Sequence, residues 1–125
     1  MTKKIKTFIV IGGTGGHVFP GCNLADHLSK SNYTIKLITD KRGLTYLDKY
    51  KHFDISILPS SPLIKDNILY QLISLVLISY SVLISLIFLI FNRPNVIFGM
   101  GGYASFPICI AASILKIKFI IYENN

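Results

Sequence analysis

Acidic residues and cysteine are scarce in this sequence, and tryptophan is absent. The 125 residues include 13 lysines and arginines but only 6 aspartates and glutamates, which gives a formal net charge of +7. No run of five or more like charges occurs, and this absence argues against a nucleic-acid-binding tail. The dispersed positive charge instead suits an anionic phosphate ligand or an anionic lipid surface.

The few cysteines and acids limit the chemistry that the chain can support. Cys22 and Cys109 lie far apart without metal-ligand spacing, so we expect two buried free thiols in a reducing compartment. No Asp-x-Asp pair occurs, and a metal-bridged diphosphate therefore has no obvious ligands. The apolar stretch Phe8–Ile11 is too short for the core of a signal peptide, which indicates a cytoplasmic start.

Glycine is concentrated in two loops, each between a strand-like run and a helix-like stretch. They are GGTGGH at Gly12–His17 and GMGGY at Gly99–Tyr103. A strand that turns on glycines into a helix directs backbone N–H groups and the positive end of the helix dipole at one point, where phosphate binds. The two loops predict a site that binds more than one phosphate, or grips one diphosphate from two sides.

Other phosphate motifs fit the first loop less well. The dinucleotide pattern G-x-G-x-x-G requires a third glycine where Val18 stands, although Asp40 after the second predicted strand keeps a nicotinamide-nucleotide alternative open. No lysine follows the glycines, which excludes a Walker loop. His17 falls in the first turn of the next predicted helix, where the dipole favours the neutral imidazole that can act as a general base.

The order of apolar runs and helix-length stretches predicts the fold. Runs rich in Ile, Val and Phe are predicted to be buried parallel strands, at Ile5–Ile11, Thr34–Thr39, Asp54–Leu58, Asn95–Gly99 and Lys118–Glu123. Helix-length stretches alternate with them, at Gly16–Ser31, about Gly43–Lys51, Asn67–Phe91 and about Ser105–Leu115. This alternation predicts an α/β fold, a Rossmann-like doubly wound parallel sheet with helices on both faces.

The stretch Ile68–Phe91 carries no charge over 24 residues, which meets the usual criterion for a transmembrane helix. The polar residues in and just before it recur on one helical face, at Asn67, Gln71, Ser74, Ser81 and Ser85. A span here would place the two glycine loops on opposite sides of a bilayer and destroy their shared site. We therefore expect an apolar crossover helix that packs partly on the sheet and partly touches the membrane.

Three segments of the chain together resemble the MurG family of bacterial transferases. They are GGTGGHVFPG at Gly12–Gly21, RPNVIFGMGGYASFP at Arg93–Pro107 and YENN at Tyr122–Asn125. These enzymes move N-acetylglucosamine from UDP-N-acetylglucosamine to undecaprenyl-diphosphate-linked muramyl-pentapeptide in peptidoglycan synthesis. The resemblance implies the GT-B architecture of two facing Rossmann-like domains, with residues 1–125 as the N-terminal, acceptor-side domain and the C-terminal donor domain absent from this chain.

The resemblance also implies roles for individual residues. The UDP-N-acetylglucosamine contacts would be Thr14, Gly15, Gly16 and Asn125, and the acceptor-diphosphate contacts would be Gly101, Gly102 and Tyr103. The catalytic candidates are His17, which would assist removal of the acceptor hydroxyl proton, and Glu123. The family's HEQN motif reads Tyr122-Glu123-Asn124-Asn125 here, and tyrosine cannot replace histidine as a base near neutral pH.

The family implies an inverting hexosyltransferase that needs no cofactor or metal and is inactive as the 125-residue chain alone. Its partners would be UDP-N-acetylglucosamine, the lipid-linked acceptor and an anionic membrane surface, with no nucleic acid. It would lie peripherally on the cytoplasmic face of the bacterial inner membrane and serve cell-wall biogenesis, cell shape and division. The alternative function is a non-catalytic membrane-anchor module, similar to the acceptor half of a split N-acetylglucosamine transferase.

Overall fold

The computed structural model describes residues 4–12, 15–60, 67–101 and 105–122, and a five-stranded parallel sheet forms its centre. The strands are β1 (Ile5–Val10), β2 (Tyr33–Thr39), β3 (Asp54–Ile57), β4 (Val96–Gly99) and β5 (Lys118–Ile121). They lie in the order β3-β2-β1-β4-β5, and every neighbouring pair is parallel. The predicted doubly wound α/β fold is confirmed, and each strand differs from its predicted range by no more than two residues at either end.

The helices connect these strands in the alternating order that the fold requires. They are α1 (Gly15–Ser29), α2 (Lys41–Leu44), α3 (Ile68–Phe91) and α4 (Ser105–Ile114). The helix predicted at about Gly43–Lys51 is wrong, because only the four residues of α2 and a separate 3₁₀ turn at Asp48–Tyr50 form there. Gly43 and Thr45 are weak helix formers, and Leu47, which separates the two turns, is buried in the core.

Each face of the sheet carries its own apolar core, as a parallel sheet covered on both sides requires. Alternate residues of β1 point to opposite faces, so Phe8 and Val10 pack with α3 and α4, whereas Ile9 packs with α1. On the α1 side, a Cβ at Gly21 would collide with the side chain of Ile11. The absence of a side chain at Gly21 therefore lets α1 lie close to the end of β1.

The helix α3 has its polar face turned inward. Its buried residues are Ser74, Ser81, Ser85 and Leu89, while most of its leucines and isoleucines are exposed. By length and composition α3 is the one described helix that meets the criteria for crossing a membrane. Its apolar contacts with the core come from its carboxyl-terminal part, at Leu86, Phe88 and Leu89.

The amino-terminal part of α3 extends past the carboxyl edge of the sheet. The ring of Phe88 lies 5.7 Å from that of Phe8 in β1. From that level α3 continues for about 30 Å to Ile68, whereas β1 continues for only about 7 Å to Val10. All six residues of the range 68–73 are exposed, so an apolar projection stands at the same edge of the sheet as the two glycine loops.

Candidate functional site

The two glycine loops begin on neighbouring strands at the same height. Val10 of β1 pairs with Gly99 of β4, and each strand leads into its glycine loop within two residues. The chain leaves β1 through α1 towards β2, and it reaches β4 from β3 through α3, so the strand order reverses between β1 and β4. In open α/β sheets this reversal creates the crevice in which ligands bind.

The second loop is held by backbone and side-chain hydrogen bonds. The Met100 N–H donates to the carbonyl oxygen of Val10 at 3.0 Å. The hydroxyl of Ser105, the buried first residue of α4, donates to the Gly101 carbonyl oxygen at 2.8 Å and lies 3.4 Å from that of Val10. Gly101 has a φ of 92°, a conformation that glycine adopts without strain. The start of α4 thus holds Gly101 in place after β4.

Ser105 is a positioning residue that the sequence interpretation missed. A serine at the start of a helix is a common capping residue, and this signal was present within the second motif. Its hydrogen bond to Gly101 could not be predicted, because the sequence does not indicate that the Gly101 carbonyl oxygen lies within reach of the Ser105 hydroxyl.

The first loop is braced from the side by α2. A Cβ at Gly43 would lie 3.1 Å from the Cα of Gly12 and would collide with the Thr39 hydroxyl. The position of α2 is set by Asp40, whose carboxylate accepts a hydrogen bond from the Gly43 N–H at 2.9 Å. Asp40, Gly43 and Gly12 therefore form one continuous support for the beginning of this loop.

The Asp40 carboxylate is occupied by contacts within the protein. Besides the Gly43 N–H, it accepts hydrogen bonds from the Ser60 hydroxyl at 2.8 Å and the Arg42 guanidinium at 3.3 Å. Burial alone would raise the pKa of Asp40, but these three hydrogen bonds and the Arg42 charge lower it below its ordinary value. The ribose contact that the nicotinamide-nucleotide alternative assigned to Asp40 would have to compete with all of these partners.

The predicted site residues fall at this edge of the sheet where the structure describes them. Gly15, Gly16 and His17 form the first turn of α1, and Gly101 follows β4. The Tyr122 N–H, just after β5, donates to the Gly99 carbonyl oxygen at 2.8 Å, which brings the first residue of the third motif beside the start of the second loop. The remaining predicted residues, Thr14, Gly102, Tyr103, Glu123 and Asn125, lie outside the described residues, and their roles stay predictions.

The two cysteines are buried free thiols, as predicted. Burial raises the pKa of Cys109 to about 11. Burial, together with the charge of Asp26, likewise raises the pKa of Cys22 to about 11. Neither thiol forms an appreciable thiolate near neutral pH, so neither is suited to act as a nucleophile. Among the described residues no group of three or more histidine, cysteine or acidic side chains could hold a metal ion.

The fold and the site define a class of protein: a doubly wound α/β domain in which two glycine loops begin at the crevice between β1 and β4. The model of the glycosyltransferase family 28 N-terminal domain matches residues 7–125, and the chain belongs to that family.

Relatives and solved structures agree with this assignment. The relatives from Pelagibacter ubique and Wigglesworthia glossinidia brevipalpis, both named UDP-N-acetylglucosamine--N-acetylmuramyl-(pentapeptide) pyrophosphoryl-undecaprenol N-acetylglucosamine transferase, are 33% and 37% identical over 100% and 98% of this chain. The crystal structure of Acinetobacter baumannii MurG superposes with a TM-score of 0.77 at 21% identity, over 94% of this chain and 34% of that one. The chain spans about a third of the length of these curated relatives, 34% in both cases.

Proposed function

We propose that this chain is the acceptor-side domain of an inverting transferase that moves N-acetylglucosamine from UDP-N-acetylglucosamine to undecaprenyl-diphosphate-linked muramyl-pentapeptide. The observation that carries the proposal is the similarity, over nearly the whole chain, to relatives named for this reaction. The convergence of two glycine loops between β1 and β4 supports it, because a diphosphate-bearing acceptor needs N–H donors at one point.

In the proposed reaction the acceptor hydroxyl attacks the anomeric carbon in line, and UDP leaves. The loops at Gly12–His17 and Gly99–Tyr103 bind phosphate through backbone N–H groups, and His17 receives the hydroxyl proton. Preorganised N–H donors and the α1 dipole stabilise developing negative charge without reorganisation during the reaction. Ser105 and Gly43 act as positioning residues, since they hold the two loops from outside the crevice.

We further propose that the domain lies on the cytoplasmic face of the membrane through the outer face of α3. That face carries exposed large apolar residues along its whole length, including Leu72, Val76, Leu83, Ile87 and Ile90. A contiguous apolar surface of this kind marks a membrane or protein contact. The strands before and after α3, β3 and β4, belong to the same sheet, which supports a helix that lies on the bilayer and does not cross it.

The test of the activity uses the whole product of the gene, as the cell makes it. We expect it to transfer radiolabelled N-acetylglucosamine from UDP-N-acetylglucosamine to the lipid-linked muramyl-pentapeptide. A protein that stays inactive alone but restores transfer when mixed with a separate donor-domain protein would establish the membrane-anchor module instead. Absence of transfer in both assays would contradict both functions.

A further inference from the structure

A cavity of about 510 Å³ opens at the carboxyl edge of β2 and β3, between α2 and α3. This volume lies within the range of about 300–1,000 Å³ that is typical of small-molecule sites. Its α2 border comes from Lys41 and Arg42, and Gly43, the next residue, packs against Gly12 of the first glycine loop. Through Gly43 the cavity therefore neighbours the first of the two loops between which the proposed function binds the acceptor diphosphate.

The lining of the cavity carries a cation whose charge is available. Asp40 lies there, but its carboxylate accepts hydrogen bonds from Gly43, Ser60 and Arg42, and only 7% of its side chain is exposed. Lys41 is exposed, and within the described residues its ammonium group has no hydrogen-bond or ion-pair partner. An anionic group at the cavity mouth would meet this lysine and not a free carboxylate.

Apart from these polar residues, the cavity has a largely apolar lining and reaches α3. Leu58 and Ile57 line it from the end of β3, and Tyr80 and Ile84 line it from α3. Tyr80 is 55% exposed and belongs also to the apolar surface of α3. A chain that leaves the bilayer along α3 would thus reach the cavity without crossing a polar surface.

We propose that this cavity binds the isoprene units next to the diphosphate in the acceptor's polyprenyl chain, with Lys41 beside the diphosphate itself. The inference rests on the proposed function, because that function places a polyprenyl diphosphate where the two glycine loops converge. An ordinary phospholipid also joins an apolar chain to a phosphate, but it has no second group that would hold it at the glycine loop. The position of the cavity therefore favours the polyprenyl chain.

The test is photolabelling of the whole gene product in vesicles. One probe is a polyprenyl diphosphate with a diazirine on an isoprene unit next to the diphosphate, and the other is phosphatidylglycerol with a diazirine in its acyl chain. We expect the polyprenyl probe to label the peptide that contains Leu58. Ile84→Trp, which fills the cavity, and Lys41→Gln, which removes the charge, should each reduce this labelling about tenfold.

Matched controls separate the cavity from the surrounding surface. Ile114→Trp adds the same ring at an exposed residue of α4 outside the cavity, and Lys49→Gln removes an exposed lysine outside it, so both should label as the parent protein does. Equal labelling of Ile84→Trp and Ile114→Trp would overturn the proposal, and so would equal labelling of the cavity by phosphatidylglycerol. A parent protein that labels at the cavity yet transfers no sugar would overturn the proposed function and leave the cavity as a polyprenyl site.

Discussion

The helices α1 and α3 cover opposite faces of one sheet, yet they distribute polar and apolar residues in opposite ways. α1 buries Val18, Cys22 and Ala25 and exposes Asn23 and His27. α3 buries three serines, and 13 of the exposed large apolar residues lie on it, whereas α1 has one. Among the described residues, only α1 has the pattern of a helix between an apolar core and water.

The difference shows that the outer face of α3 is adapted to an apolar environment. Burying serine in a helix costs little when its hydroxyl bonds to the preceding turn, as the Ser81 hydroxyl does by donating to the Leu77 carbonyl oxygen at 2.9 Å. Exposing a row of leucines and isoleucines to water is costly, at roughly 25 cal/mol per Å². The two helices thus differ in their proposed tasks: α1 begins at the candidate site, and α3 presents the apolar surface that we propose contacts the membrane.

The largest effect is expected at the beginning of α1. In the whole gene product, His17→Ala should lower the turnover number by about 10²–10⁴-fold and change the affinity for UDP-N-acetylglucosamine little, because a general base acts mainly in the transition state. Steady-state kinetics with varied donor and acceptor measure both quantities. His27→Ala, on the exposed face of the same helix, is the control. An unchanged turnover number in His17→Ala would reduce His17 to a structural residue of the loop.

The outer face of α3 should dominate membrane binding. Replacing Leu72, Val76 and Leu83 together with glutamate should weaken binding to anionic vesicles by at least about 100-fold, because apolar burial is lost and negative charge is added. The same three glutamates on α1, at Asn23, His27 and Ser29, should weaken it far less. Vesicle sedimentation measures both variants, and equal losses would mean that charge alone governs the binding.

Cys22 on the inner face of α1 and Cys109 in α4 should resist thiol reagents. With both pKa values raised from 9.0 to about 11, the thiolate fraction at pH 8 is about 100-fold lower in the folded than in the unfolded chain, and labelling should slow accordingly. The unfolded chain releases these thiol protons at lower pH, so the free energy of unfolding should fall as pH rises from 9 towards 11. Rapid labelling at pH 8 without denaturant would contradict the buried positions.

The smallest effects are expected for two substitutions of buried residues, one in α1 and one in α3. They should change the free energy of unfolding in opposite directions. Ala25→Ser would place a hydroxyl in the apolar core under α1, which should lower the free energy of unfolding by about 1–2 kcal/mol. Ser85→Ala removes a buried hydroxyl that has no hydrogen-bond partner in the described part of the chain, and it should raise that energy by about 1 kcal/mol. Chemical denaturation measures both, and Ser81→Ala is the control because its hydroxyl is bonded within the helix.

The sequence predicted the order of strands and helices along the chain, because each strand is a short apolar run that ends at a polar or glycine residue. It also placed both glycine loops at one edge, since parallel neighbours end at the same side of a sheet. It did not predict the shortness of α2, because the chain turns Leu47 into the core on the α1 side of the sheet, and that packing involves residues far away in the sequence. The sequence also did not predict the orientation of α3. Its pattern indicates one polar face, but it does not indicate whether that face contacts the protein or the solvent.

The proposed function requires that α3 lie along the membrane with Ser74, Ser81 and Ser85 turned to the protein. Spin labels placed one at a time along the outer face, at Leu72, Val76, Leu83, Ile87 and Ile90, would measure the depth of each position in vesicles containing the whole gene product. We predict a similar shallow depth for all of these positions, about 5–10 Å into the boundary between headgroups and acyl chains. A depth that increases to a maximum near Tyr80 and decreases towards both ends would show that the helix crosses the bilayer, and it would contradict the shared site of the two glycine loops.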